Sequence, residues 1–228
     1  MTTQPVGAAV DATPARRPGP VTLTGRHGRL ERLNAARHGQ SFWQAACGHD
    51  RIWTYLPHGP FGDFAAFSKW LDGCEQSEAR YFYAVIDRDE QVVGVMSLME
   101  IRPAMRVIEV GYIAYAPALQ RTPLATEAQY LLARYAFEEL GYRRYEWKCD
   151  SLNAPSRRAA QRFGFIFEGI FRQHMIVKGR NRDTAWYAML DGEWPARKRN
   201  FERWLAPTNF DADGRQQQSL AAMNGVAA

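Results

Sequence analysis

Along residues 122–141 the apolar positions recur at intervals of three and four: Leu124, Ala128, Leu131, Leu132, Tyr135, Ala136 and Leu140. That spacing lays them on one stripe of a helix, with Pro123 suited to its first turn and Gly141 to its end. Directly afterwards Tyr145, Trp147 and Cys149 alternate with Glu146, Lys148 and Asp150, the period of a half-buried strand. A β-rich run over 106–115 precedes the helix. Strand, helix and strand in that order predict a parallel crossover.

Other segments fill in the architecture. Tyr81 to Asp87 and Gln91 to Glu100 are β-rich runs separated by Arg88, Asp89 and Glu90, which predicts a hairpin. His38 to Cys47 and Phe61 to Cys74 carry apolar residues at helical spacing, and Val21 to Leu33 reads as a strand pair or one bent strand. A short helix over 153–163 stops at Gly164, and Phe165 to Val177 and Thr184 to Leu190 are predicted to flank a turn at 178–183. The fold class expected is α/β (α+β): a mixed, mostly antiparallel sheet of about seven strands with helices on both faces. The boundaries expected are an unpacked segment at 1–20, one domain over 21–195, an amphipathic helix at 196–206 and a second unpacked segment at 207–228.

Composition narrows the classes. Hydrophobic residues make up 46% of the 228 and charged residues 23%, too apolar for a disordered chain. With no run of about 18 uncharged apolar residues, neither a membrane span nor a secretion signal is expected. Cys47, Cys74 and Cys149 lie far apart with no His at ligand spacing, so neither a disulfide framework nor a metal site is suggested and a cytoplasmic setting fits. The net charge of +5 favours anionic partners, a nucleic acid or a phosphorylated small molecule.

The strand Glu109 to Tyr115, the connection Ala116 to Arg121 and the helix opening at Thr122 form the most informative junction. A strand that runs into a helix start sets free backbone N–H groups and the positive dipole end at the strand's carboxyl edge, which suits an anion. Gln120, Arg121, Thr122 and Thr126 could add donors for a diphosphate, or Thr122 could simply cap the helix.

Here the chain resembles the GNAT acetyltransferase superfamily, within it the RimJ/RimL-like group related to ribosomal-protein N-terminal acetyltransferases. Gln120-Arg121-Thr122-Pro123-Leu124-Ala125 follows the acyl-CoA signature Q/R-x-x-G-x-G/A at its first and last positions, with Pro123 in place of the middle glycine. Thr126-Glu127-Ala128, Asn153-Ala154-Pro155-Ser156, Gly164-Phe165 with Glu168-Gly169, and Trp186-Tyr187 are similar in order and spacing.

The resemblance implies acetyl-CoA as co-substrate and an amine acceptor. It also implies a splayed central parallel strand pair whose gap takes the pantetheine arm against the backbone of Ile113 and Tyr115. It implies cofactor contacts from Gln120, Arg121, Thr122, Leu124, Ala125, Thr126, Asn153, Ser156 and Arg158, and a hydroxyl near the sulfur from Ser156. The position where many relatives carry a catalytic tyrosine, four residues before Gly164, is Ala160, so Ser156 or water inherits protonation of the thiolate.

For a base, Glu109 is the first choice and Glu100 the second, because both lie on strands expected to floor the amine pocket. Arg157, Arg158 and Arg162 offer a partner for a 3′-phosphate, and His174 with Asp183 reads as an acceptor-pocket pair or a plain cross-strand pair. The segment from Trp194 to Leu205 combines an aromatic stripe with four basic residues, Arg197, Lys198, Arg199 and Arg203. It reads as a helix docked on the domain, a homodimer contact or a nucleic-acid surface. The function expected is N-acetyl transfer from acetyl-CoA to a primary amine, on a protein N-terminus, an amino acid or a small molecule. The alternatives are a CoA-binding scaffold with weak catalysis and an RNA-binding module.

Overall fold

The computed structural model describes residues 4–226. In chain order it contains β1 (Leu23–Thr24), β2 (Gly28–Arg32), α1 (Ala35–Ala46), α2 (Phe64–Glu75), β3 (Tyr81–Asp87), β4 (Val92–Arg102) and β5 (Val107–Tyr115). Then follow α3 (Pro123–Arg134), β6 (Arg144–Asp150), α4 (Ala154–Arg162), β7 (Ile166–Val177), β8 (Arg180–Leu190), α5 (Trp194–Leu205) and α6 (Leu220–Met223). The strands form one sheet in the order β1-β2-β3-β4-β5-β6-β8-β7. Among the described residues β5–β6 is its parallel pair and the other neighbours are antiparallel. The mixed, mostly antiparallel sheet expected from the sequence is therefore present, with the two-residue β1 as an eighth strand.

Two apolar layers cover the sheet. Phe42 of α1 and Phe67 and Leu71 of α2 pack with Phe82, Ala84, Ile86, Val95 and Ala114 on one face. On the other, Leu124, Ala128, Leu131 and Leu132 of α3 join Ala160, Phe163, Trp194 and Phe201 over Val110, Tyr145 and Trp147. The caps follow from local chemistry. Thr122 accepts the Ala125 N–H at 3.2 Å, Asn153 accepts that of Ser156 at 3.2 Å, and Asp63 accepts that of Ala66 at 2.8 Å. Gly141 (φ 81°) supplies the left-handed residue that turns the chain out of its helix, and Gly164 (φ 92°) does the same after α4.

Several boundaries differ from the sequence reading. The helix expected to run unbroken to Leu140 is α-helical to Arg134 and continues as one π turn, Tyr135–Glu139. The last hairpin turns on Lys178 and Gly179 alone, both with positive φ, so β8 starts four residues earlier than expected. Part of the expected N-terminal loose segment is tied down. Ala15 donates to the Pro103 carbonyl, Arg16 to that of Leu140, and Gly19 to the Tyr135 hydroxyl.

The C-terminal segment is likewise packed. Asn209 bonds both Trp204 and Gln218, the Trp204 indole donates to Gln216, Leu220 is fully buried, and Asn224 donates to the Arg162 carbonyl. These ties run through polar side chains and backbone, which a hydropathy pattern does not register. The outermost residues of both expected tails, 1–3 and 227–228, lie outside the described residues.

One contact gives a stability prediction. A Cβ at Gly28 would stand 2.2 Å from the Ile86 carbonyl oxygen and 2.8 Å from Leu124 Cδ1, and the first of these is backbone that cannot swing away. Gly28→Ala should therefore destabilise the domain by about 3 kcal/mol, at the upper end for overpacking. Urea unfolding should show a lower midpoint at an unchanged slope.

Candidate active site

The central feature is an opening in the sheet. β5 and β6 pair through Val107↔Arg144, Ile108↔Tyr145, Glu109↔Glu146 and Val110↔Trp147, and there the pairing stops although the strands run on to Tyr115 and Asp150. β5 meanwhile stays joined to β4 out to Gly94↔Tyr115. A bulge at Tyr112 (φ 52°) puts an extra residue on β5 between the pairs Val95↔Ala114 and Ser97↔Gly111.

Ala116 donates to the Val93 carbonyl at 2.9 Å. By the alternation of an antiparallel ladder Ala114 also turns its backbone toward β4, while Ile113 and Tyr115 turn theirs into the opening. An exposed strand edge of this kind needs a hydrogen-bonding partner. The Tyr115 carbonyl already accepts Gln120 Nε2 at 2.9 Å.

Across the opening, α4 starts at the end of β6. Its Ser156 hydroxyl accepts the Trp147 indole N–H at 3.0 Å, so the hydroxyl proton is left to donate. Asn153 caps this helix, its Oδ1 accepting the Ser156 N–H.

The start of α3 closes one end. Of the side chains expected there, Thr122 caps the helix and donates to the Leu119 carbonyl at 2.7 Å, and Gln120 is committed to Tyr115. Thr126 is buried and accepts Arg162 Nη1 at 3.0 Å. These three hydroxyl and amide groups bind the chain to itself because donors and acceptors at a helix start are first claimed by the backbone and its neighbours. Gln120, Thr122 and Thr126, expected as side-chain ligands, thus each hold a bond within the chain. What remains is the backbone. The left-handed turn at Arg121 (φ 64°) leads into the helix, Pro123 has no N–H, and among the described residues the Arg121 and Leu124 amides donate to no group of the chain. With the exposed Arg121 side chain and the dipole of α3, they make a short cationic rim.

Glu109 sits one rung before the pairing ends. It is 4% exposed and its Oε2 accepts Lys148 Nζ at 2.6 Å. Its other oxygen leans toward the opening: a Cβ at Gly111, the first unpaired residue, would lie 3.3 Å from Oε1. Burial pushes the Glu109 carboxyl up to about 7, against the opposing pull of the Lys148 ammonium. Lys148 also meets Glu146 at 3.0 Å, and Glu146 holds Arg102 and Arg144. Burial would raise Glu146, but its bonds to Arg144 and Lys148 prevail and hold it low. Glu109 is thus the carboxylate of this cluster placed to exchange a proton near neutral pH.

Glu100, the second choice of base, is exposed at a second β4 bulge (φ 46°) beside the closed half of the β5–β6 pair, and its charge adds to the upward push on the Glu109 carboxyl.

A profile of the acetyltransferase (GNAT) domain matches residues 29–166, more than half of the chain. The chain belongs to the GNAT acetyltransferase family. A GCN5-related N-acetyltransferase from Brucella melitensis superposes with a TM-score of 0.91 at 49% identity, covering 94% of this chain and 98% of that one. The Escherichia coli ribosomal-protein-serine acetyltransferase is 28% identical over 106 residues, 46% of this chain and 59% of that protein. Bacillus subtilis YdaF is 33% identical over 110 residues, 48% of this chain and 60% of its own length. The match thus spans about three fifths of each of these two curated relatives, and the relation to the RimJ/RimL-like group holds.

In this GNAT domain other expected residues find different places. Arg157 donates to the Tyr187 hydroxyl at 3.2 Å, and Arg162 is inside the protein, lowered to about 10 by burial; Arg158 is exposed on α4. His174 pairs with Thr184 at 3.0 Å and not with Asp183, which takes the Gln173 N–H and Asn181. Trp194, Phe201, Trp204 and Leu205 of α5 are buried against the domain. That removes the aromatic stripe as a dimer contact or RNA surface. Lys148, whose Nζ lies 4.1 Å from the centre of the Trp186 ring, was not singled out from sequence. Its signal was that Glu109, Glu146 and Lys148 share one face of adjacent strands.

The exposed Arg121 gives a binding prediction. Arg121→Ala should weaken CoA binding about tenfold, the worth of one charge-assisted contact to a diphosphate, as read by titration calorimetry.

Proposed function

We propose that the chain transfers the acetyl group of acetyl-CoA to a primary amine by direct attack. The observation that carries this reading is the opening between β5 and β6, edged by the backbone of Ile113 and Tyr115. Acetyl-CoA supplies the activated thioester. Backbone groups of Ile113 and Tyr115 pair with the amide-bearing arm as an added strand would. The Arg121 and Leu124 amides and the Arg121 guanidinium hold the diphosphate at the start of α3, where Ala125 keeps the helix wall close; Arg158 meets the 3′-phosphate.

Within that frame the chain's own groups move the protons. The Ile113 N–H donates to the carbonyl oxygen as negative charge grows on it. Glu109 Oε1 takes the amine's proton, directly or through one water, while the Ser156 hydroxyl donates a hydrogen bond to the departing thiolate, which is protonated from solvent. An α-amine with a pKa of about 7.7–8 is on the order of 10–20% neutral at pH 7, whereas a lysine at about 10.4 is below roughly 0.1%. The acceptor class this favours is an α-amine or one of similar acidity.

Thiol release from acetyl-CoA, followed against a panel of N-terminal peptides, amino acids and small amines with products weighed by mass spectrometry, tests the reading. Acetylated amine with stoichiometric thiol is the expected result. Tight CoA binding with no thiol release for any acceptor would instead favour a CoA-binding scaffold, to which Pro123 lends support by removing one phosphate-facing N–H.

A further inference from the structure

On the α1–α2 side of the opening lies a group of side chains that the transfer chemistry leaves unused. The bulge turns Tyr112 onto this face, where its ring meets Phe82 edge-on at 5.5 Å and His58 at 5.9 Å. The Arg80 guanidinium lies over the same ring at 4.6 Å, and Arg80 Nε is buried with no hydrogen-bond partner. From the tip of the β7–β8 hairpin, Lys178 reaches across to the Trp53 carbonyl at 2.8 Å. His58 is held below its ordinary value by burial first, and then by the positive charges of Arg80 and Lys178. Three basic side chains from three separate elements therefore converge beside the bulge.

Among the described residues no carboxylate answers them. The ion pairs among the described residues include neither Arg80 nor Lys178. Glu75 is spent on Asn34 and the start of α1, and Glu109 is spent on Lys148. A guanidinium with a buried, unsatisfied nitrogen is costly unless something pairs with it. A planar carboxylate is the natural complement of its fork.

Resting on the acetyl-transfer reading, we propose that the acceptor is an amine whose own molecule carries a carboxylate, seated between Arg80 and Lys178 beside Tyr112. Tyr112 is three residues along β5 from Glu109, roughly 10 Å at the rise of a strand. An amine at Glu109 and an anion at Tyr112 are thus about 10 Å apart at most, a span that one extended residue and the acidic side chain of the next can bridge. The acceptor this describes is the N-terminus of a peptide with an acidic residue at its second position. A polyamine would meet like charge there.

The test uses the full chain with acetyl-CoA and three tripeptide amides that differ only in the second residue: glutamate, glutamine or lysine. The expected order of kcat/KM is glutamate about tenfold above glutamine, with lysine lowest, about the worth of one charge-assisted hydrogen bond. Arg80→Met and, separately, Lys178→Met should each bring the glutamate-to-glutamine ratio toward one. Two variants on different elements keep the test alive if one fails to fold.

Equal rates for the glutamate and glutamine peptides, or an unchanged ratio in both variants, overturn the proposal while leaving acetyl transfer standing. If no amine is acetylated, the transfer reading fails by itself. Binding of the N-acetylated glutamate peptide over its glutamine twin, read by tryptophan fluorescence without turnover, then decides the anion seat alone. A preference lost in Arg80→Met supports the seat, and equal binding rejects it.

Discussion

Glu109→Gln should lower kcat by about 10²- to 10³-fold while CoA binding stays within about twofold, the loss expected when a positioned general base is removed. Glutamine keeps the shape of the side chain and an oxygen that can still accept Lys148 Nζ, so the cluster with Glu146 survives and the loss reports proton transfer. The pH profile separates this role from a structural one. Burial sets the Glu109 carboxyl at about 7, and only the ionised form can take a proton. The wild-type rate should therefore rise with pH along two limbs, one at about 7 from Glu109 and one from the amine's own titration, and level off only above both. In the variant the Glu109 limb should vanish, leaving only the amine's own titration at about 7.7–8 for an α-amine. Steady-state thiol release over about pH 5.5–9 reads both. An unchanged profile in the variant would make Glu109 a structural partner of Lys148 and nothing more.

The second large effect concerns a backbone atom. Ile113→Pro removes the N–H that, by the alternation of the ladder, faces the opening and not β4, so no β4–β5 bond should be lost. A bulge is a strand position that admits proline, although the ring disfavours a left-handed residue before it. Loss of one oxyanion donor in an enclosed site costs about 10²- to 10³-fold in kcat, and that is the drop expected, with the far-UV spectrum unchanged. A variant that retains wild-type kcat would move the oxyanion role elsewhere. Since Tyr112 precedes the new proline in a left-handed conformation, the thermal midpoint is measured alongside to separate a folding defect from a catalytic one.

How far the sequence reached follows from which interactions leave a periodic trace. The stripe from Leu124 to Leu140, the cap at Thr122 and the alternation around Trp147 were legible because burial imposes a period on them, and they brought the helix, the crossover and the docked α5 with them. The gap beside Ile113 and Tyr115 was legible only through family resemblance, since an interruption of strand pairing has no hydropathy signature.

Lys148 looked like a solvated position because it alternates with Tyr145 and Trp147. In fact its side chain is only 10% exposed, because the face of β6 that it shares with Glu109 and Glu146 is covered. The ties made by Asn209, Gln216 and Asn224 are polar contacts to single atoms, and in composition they resemble any loop. Arg80 and His58 meet only through the bulge at Tyr112, a backbone feature that no spacing in the chain encodes.

The most direct test of the central claim is a crystal structure of the full chain with CoA. The account predicts the pantetheine amides bonded to backbone atoms of Ile113 and Tyr115, the diphosphate against the amides of Arg121 and Leu124, and the sulfur within reach of the Ser156 hydroxyl. CoA lying outside the sheet, with Gly111 to Tyr115 drawn into pairing with Lys148 to Asp150, would contradict it.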